Sequence, residues 1–338
     1  MRFLATVIKG LEEICKQEII DRFPEAQIEQ VLVKRIIFSF DGDILALKSL
    51  KVADDIDILL DYAYGGTLKY SEIFRLKNAI SEIRDLNDTF SFTISQRESQ
   101  FDLADLQAKL ISEITQKGKL NYNGDTHTNL DFRLFVDGGS LSLSVRIFKM
   151  PISHRNYKTN ALPGSLKPSV AAGMIYLMCQ GAPQSQKLID LYCGSGTILA
   201  ESLEFGYDIF GSDIDAQAVE ITKINLSNFK NKALSDKLDD KIRVYDAVHT
   251  KWNVDQFDVW ISNFPWDKQV KVAYVTELYK KTMEEAIRIL RPENKICCLV
   301  HKPELFVKLA KKYFPNHQFE TIEIGYLGQN PSIVYSVF

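Results

Sequence analysis

The chain has 338 residues, 46% of them hydrophobic and 25% charged, which is ordinary for a soluble globular protein with room for two or three domains. A formal net charge of −3 excludes a uniformly basic nucleic-acid binder, so any RNA surface must be a local patch. No apolar run is long enough to span a bilayer and no signal-peptide pattern is present, and the five cysteines lack C-x-x-C spacing, so they read as reduced thiols of a cytoplasmic protein.

In chain order, Phe3–Ile8 reads as a strand and Leu11–Phe23 as an amphipathic helix. Strands follow at Ile28–Val33 and Ile36–Phe40, a short helix at Ile44–Leu50, and a strand at Ile56–Tyr64. That βαββαβ order is ferredoxin-like, and Gly65-Gly66 punctuates its end. A second segment begins with a helix over Glu72–Leu86 and a strand, Thr89–Ser95, with Arg97 at its exit. A helix over Leu103–Lys117 precedes two alternating strands, Leu130–Val136 and Leu141–Phe148, hinged at Asp137-Gly138-Gly139. Phe90, Phe92, Phe132 and Phe135 read as core.

From Arg146 to Lys167 the chain is basic and loop-like, with no acid. Arg146, His154, Arg155 and Lys158 with Tyr157 suit phosphate contacts plus base stacking, and suit a solvated linker equally well. Lys167-Pro168-Ser169 then opens a helix.

The stretch Lys187–Asp215 carries the first chemical motif. A buried strand, Leu188–Tyr192, ends in Gly194-Ser195-Gly196, a helix begins near Thr197, and a second strand closes on Asp213. A dinucleotide site would need a third glycine, but position 199 is Leu, and Asp190 just before the turn would repel a phosphate. A carboxylate there suits an ammonium and a sulfonium, hence S-adenosylmethionine. Asp213 stands where a ribose-binding acid is expected, about 20 residues past the glycines. Asp246, ending the strand Ile242–Tyr245, is placed for an adenine amino group. The expected cofactor set is Asp190, Tyr192, Cys193, Gly194, Ser195, Gly196, Thr197, Asp213, Ile214, Asp246, Ala247 and Asn263. The alternative is a doubly wound domain that binds no nucleotide.

Further strand and helix alternation (Phe257–Ser262, Val272–Leu290, Lys295–Val300, Glu304–Tyr313) ends in an antiparallel pair, Phe319–Ile324 and Ile333–Phe338. The expected fold class is α/β, a seven-stranded doubly wound Rossmann-like sheet preceded by α+β segments. The second motif, Asn263-Phe264-Pro265-Trp266, ends the fourth strand of that sheet. It suits methylation of an exocyclic amine. The Asn263 side-chain oxygen and the Phe264 carbonyl would take its two hydrogens, Pro265 would direct the chain, and Trp266 would stack on an extruded base. His127, His249, His301 and His317 show no metal spacing.

On these motifs the chain resembles the THUMP-domain RNA methyltransferases that make N2-methylguanosine in tRNA. DLYCGSGTILAE is similar to the family's D-P-F-C-G-S-G-T-I-x-x-E block, and GSDID resembles its ribose-binding strand end. ISHRNYKTNALPGSLKPSVAAGM is similar to the block that joins its domains. The resemblance implies an N-terminal ferredoxin-like domain at 1–65, a THUMP domain at 66–152 gripping tRNA, a basic linker at 153–165 and a class I methyltransferase domain at 166–338. It implies a monomer acting on RNA, with no membrane partner, on guanine N2; rRNA guanine N2 or adenine N6, and a non-catalytic RNA-binding protein, stay open. Phe264 replaces the first proline of the family's N/D-P-P-Y/F-G, and Asp267, which would read the guanine edge, replaces its glycine.

Overall fold

The computed structural model describes residues 1–64, 68, 79–83, 86–98, 101–124, 130–179, 186–265, 272–326 and 328–337. The chain divides into two compact units, Met1–Val7 with Lys16–Ile152, and Ile8–Cys15 with Ser153–Phe338.

In the first unit one sheet has the order β2-β3-β1-β4-β8-β7-β5-β6. Its strands are β1 (Arg2–Thr6), β2 (Gln27–Leu32), β3 (Arg35–Ser39), β4 (Asp55–Tyr64), β5 (Thr89–Arg97), β6 (Asn121–Tyr122), β7 (Leu130–Asp137) and β8 (Ser140–Arg146). β4 pairs antiparallel with β8 over Asp57–Tyr64, so the strands of residues 1–64 and those of 89–146 share that sheet. The Asp137-Gly138-Gly139-Ser140 hairpin forms as its glycines predict, with Gly138 at φ +56°. Phe90, Phe92 and Phe132 are fully buried. The helix α1 (Glu12–Arg22) and the short 3-10 helix Ile44–Ser49 match expectation, and α2 (Leu103–Gly118) is capped by Asp102, which accepts from Ala104 and Asp105 N–H. Most of the helix expected over Glu72–Leu86 falls outside the described residues.

The second unit holds a seven-stranded sheet, order β11-β10-β9-β12-β13-β15-β14. Its strands are β9 (Lys187–Asp190), β10 (Asp208–Asp213), β11 (Ile242–Val244), β12 (Phe257–Asn263), β13 (Leu290–Val300), β14 (Gln318–Glu323) and β15 (Ser332–Val337). The first five are parallel and β15 runs antiparallel between β13 and β14, as the terminal hairpin predicts. The near-continuous apolar runs of β9 and β12 follow from burial on both faces. Flanking helices include α3 (Pro168–Met178), α4 (Thr197–Glu204), α5 (Ala216–Ser227), α6 (Lys232–Ser235), α7 (Leu238–Lys241), α8 (Val272–Ile289) and α9 (Pro303–Tyr313). Trp260, Phe264, Tyr279 and Phe306 centre the core between β12 and the helices α8 and α9. Strand order reverses at β9, where an open α/β sheet places its ligand crevice. No helix among the described residues is long and apolar enough to cross a membrane.

Candidate active site

Four adjacent strands end in acid or amide side chains: Asp190 on β9, Asp213 on β10, Asp246 just past β11 and Asn263 on β12. Asp190, Tyr192, Cys193, Gly194, Ser195, Thr197 and Asn263 line a common pocket, with the loop 162–166 as its other wall. The two motifs found far apart in the chain therefore meet.

The turn after β9 needs its glycines. Gly194 and Gly196 have φ of +53° and +79°, and a Cβ on Gly196 would lie 2.9 Å from Thr222 Cγ2. Gly194 N–H donates to Asp213 Oδ2 at 2.9 Å, and Asp215 N–H to Asp213 Oδ1 at 3.0 Å. The expected ribose acid thus also fixes the turn, with lone pairs left on both oxygens.

Asp190 is 1% exposed. It accepts from Ser262 Oγ at 2.8 Å and from Tyr192 N–H at 3.1 Å, but burial outweighs both and pushes its carboxyl up to about 7. Ser262 Oγ also accepts from Leu191 N–H and Trp260 Nε1–H, so it ties β12 to the end of β9. Sequence reasoning placed Ser262 at the strand end but gave it no role; the signal was a hydroxyl directly after the apolar run 259–261. Tyr192 OH meets Thr282 Oγ1 at 2.5 Å, and its ring packs on Phe264. Cys193 is buried and its thiol is pushed up by burial, then by Asp190 and Asp213, which leaves it a packing residue and no nucleophile.

The pocket fits a ligand with an ammonium, a carboxylate and a ribose. Asp190 offers the anion for the ammonium. The helix α4 starts at Gly196 without a side-chain cap, so its first N–H groups suit a carboxylate. Thr197 Oγ1 is buried and has no hydrogen-bond partner among the described residues. Ile214, directly after Asp213, is 70% exposed, an apolar surface beside that carboxylate. Ala247 is buried, and Asp246 Oδ1 accepts from Val248 N–H.

Phe264 is 1% exposed and donates its N–H to Leu299, while Pro265 is exposed. Trp266 and Asp267 lie outside the described residues. The basic stretch is largely engaged within the protein, so it is neither a freely solvated linker nor a row of unengaged cations. Arg155 pairs with the fully buried Glu201 at 2.9 Å, and Tyr157 OH donates to the same carboxylate at 2.6 Å. The Tyr157 ring is stacked on Phe229 and 6% exposed, so it offers no face to a base. Lys158 Nζ donates to the Leu166 carbonyl, and burial lowers its pKa to about 8. Arg146 binds Asp55 at 2.8 Å. His154 is exposed, and Arg97, half exposed, reaches Asp137 at 3.4 Å. These pairings are not sequence-local: a run without acids finds its carboxylates in Asp55 and Glu201, far along the chain.

Residues 155–329 match the family described as UPF0020, RMKL-like, methyltransferase domain. Over 96 residues the chain is 33% identical to a tRNA (guanine(10)-N2)-dimethyltransferase of Methanothermobacter thermautotrophicus, covering 26% of this chain and 27% of that protein. Over 224 residues it is 25% identical to the ribosomal RNA large subunit methyltransferase K/L of Photobacterium profundum, covering 62% of this chain and 30% of that protein. The chain thus spans less than a third of the length of these curated relatives. The crystal structure of TrmN from Thermus thermophilus superposes with a TM-score of 0.76 at 19% identity, covering 99% of this chain and 98% of that one. The fold is that of S-adenosylmethionine-dependent methyltransferases.

Proposed function

The chain belongs to the RMKL-like methyltransferase family, and from that premise we propose that it methylates the exocyclic N2 of a guanosine in RNA, a tRNA in its acceptor-stem region. The observation that carries this reading is the shared pocket of Asp190, the glycine turn and Asn263. The printed names of the RNA-modifying relatives support it. S-adenosylmethionine supplies an electrophilic methyl group when bound. Asp190 holds its ammonium, the amino end of α4 its carboxylate, Asp213 its ribose, and Asp246 with Ile214 its adenine. Asn263 Oδ1 and the Phe264 carbonyl accept the two amine hydrogens and turn the nitrogen lone pair toward the methyl carbon. Trp266 stacks on the flipped base and Asp267 reads the guanine edge. Catalysis would come from positioning: the S–C bond would break as the N–C bond forms, leaving a neutral thioether, and the methylated nitrogen would release its extra proton to solvent, with no strong base needed.

The assignment of residues 1–65 as an N-terminal ferredoxin-like domain and 66–152 as a THUMP domain that grips the RNA belongs to the same proposal, as does action as a monomer. Arg97, an exposed guanidinium, and His154, an exposed imidazole, are residues it uses. Arg97→Ala should weaken RNA binding and lower the log–log salt slope by about one, read by titration at several salt concentrations. An unchanged slope would remove Arg97 from the interface.

The deciding experiment incubates the protein with labelled S-adenosylmethionine and tRNA or rRNA, followed by nucleoside mass spectrometry. N2-methylguanosine in tRNA is expected. N6-methyladenosine, or methylation of rRNA alone, would overturn the substrate assignment. Asn263→Ala should cut turnover by about 10²–10³ with cofactor affinity nearly intact; full activity in that variant would overturn the role given to Asn263.

A further inference from the structure

One face of α5, continued into its C-cap residue Asn228, holds both walls of the pocket. Thr222, Asn225 and Asn228 recur there every three residues, so they line one side of the helix. Thr222 Oγ1 donates to the Gly194 carbonyl at 2.8 Å. Asn228 Nδ2 donates to the Tyr157 carbonyl and to Thr159 Oγ1, both at 3.0 Å. Between them Asn225 is fully buried and uses its whole carboxamide. Its Nδ2 donates to the carbonyls of Ser195 and Asn160, both at 2.8 Å. Its Oδ1 accepts from Asn160 N–H at 3.1 Å and from Thr159 Oγ1 at 3.3 Å.

That side chain grips both backbone polar groups of Asn160 and, at the same time, the Ser195 carbonyl of the glycine turn. Two residues on, the loop becomes the pocket wall 162–166, where Ser165 Oγ meets Ser195 Oγ at 2.9 Å. Asn is a poor helix former, and a buried one that makes four hydrogen bonds serves geometry more than helix stability. Asn225 itself is not among the described residues that line the pocket.

We infer that Asn225 is a positioning residue for the cofactor: it sets the spacing between the wall 162–166 and the glycine turn. This rests on the S-adenosylmethionine reading of the pocket. The test is calorimetric titration of the full chain with S-adenosylmethionine, alongside steady-state kinetics and RNA titration. Asn225→Ala should raise the cofactor Kd and KM about tenfold, and Asn225→Asp, which cannot donate to Ser195, should do at least the same. The kcat at saturating cofactor and the RNA Kd should stay within about twofold. The exposed Thr159→Val removes one anchor without disturbing the core and should raise the cofactor Kd about threefold. A lowered melting temperature with unchanged cofactor Kd would overturn the inference. If the Asn225 variants do not fold, an unchanged Kd in Thr159→Val overturns it alone. Failure of the unaltered protein to bind S-adenosylmethionine would instead overturn the cofactor reading, and this inference with it.

Discussion

At Asp190, burial and binding oppose each other. The carboxyl is 1% exposed, and desolvation raises it to about 7 despite the Ser262 and Tyr192 donors. At neutral pH a carboxyl raised this far is partly protonated, and only the carboxylate attracts a cation. The sign for binding follows: as pH falls below about 7 the carboxylate fraction falls, and S-adenosylmethionine affinity should drop by up to about tenfold per pH unit. Above pH 8 the affinity should level off. Asp190→Asn should bind weakly throughout and flatten the profile. Calorimetry between pH 6 and 8 reads this directly, and a flat profile for the unaltered protein would mean that Asp190 does not hold the charged ammonium.

At the scale of elements, the packing of α4 on β10 explains a glycine the motif lacks. Position 199 is Leu where a dinucleotide fingerprint has its third glycine, and Leu199 is fully buried. The close approach is instead provided from the facing strand: a Cβ on Gly211 would lie 2.5 Å from Leu199 Cδ1 and 3.2 Å from Cys193 Cβ. Gly211→Ala should therefore cost about 1–3 kcal/mol by overpacking, read by chemical denaturation. Leu199→Ala in the same chain should recover part of that loss, because the flexible end of Leu199 is what the new methyl meets; no recovery would place the clash elsewhere. This exchange of roles was not legible in the sequence. The motif showed that Leu199 breaks the glycine pattern, but the compensating Gly211 sits on another element, and register decides that they face each other. What was legible is local: the apolar run of β9, the positive-φ glycines of its turn, and the strand end at Asn263. The fate of Arg155 and Tyr157 was not, because Glu201 becomes their neighbour only when α4 packs.

At the scale of the molecule, strand positions were readable from periodicity, but the partnership of β4 with β8 was not, since it joins residues about eighty apart in the chain. That pairing gathers charges. Arg133 contacts Asp55 at 2.9 Å, Asp57 at 3.4 Å and Asp131 at 3.2 Å, while Arg146 contacts Asp55 at 2.8 Å. Among the described residues three carboxyls thus share two guanidiniums, one negative charge in excess when all three are ionised. Burial raises the pKa of both Asp55 and Asp57 above the ordinary carboxylate value, with Arg133 opposing the shift. A carboxyl raised in the folded state contributes stability that is full below its unfolded value of about 4 and is lost as pH rises through the folded value. Asp57 is fully buried, with Ser144 Oγ at 2.8 Å as a further donor. Asp57→Asn keeps the shape and removes the excess charge. At pH 8 it should stabilise the protein by on the order of 1 kcal/mol, and at pH 4 the gain should vanish, because the native side chain is then protonated. Urea titrations of both proteins at the two pH values measure the difference. A gain that is equal at pH 4 and pH 8 would mean that Asp57 carries no titrating charge, and that Arg133 and Arg146 balance the cluster without a proton.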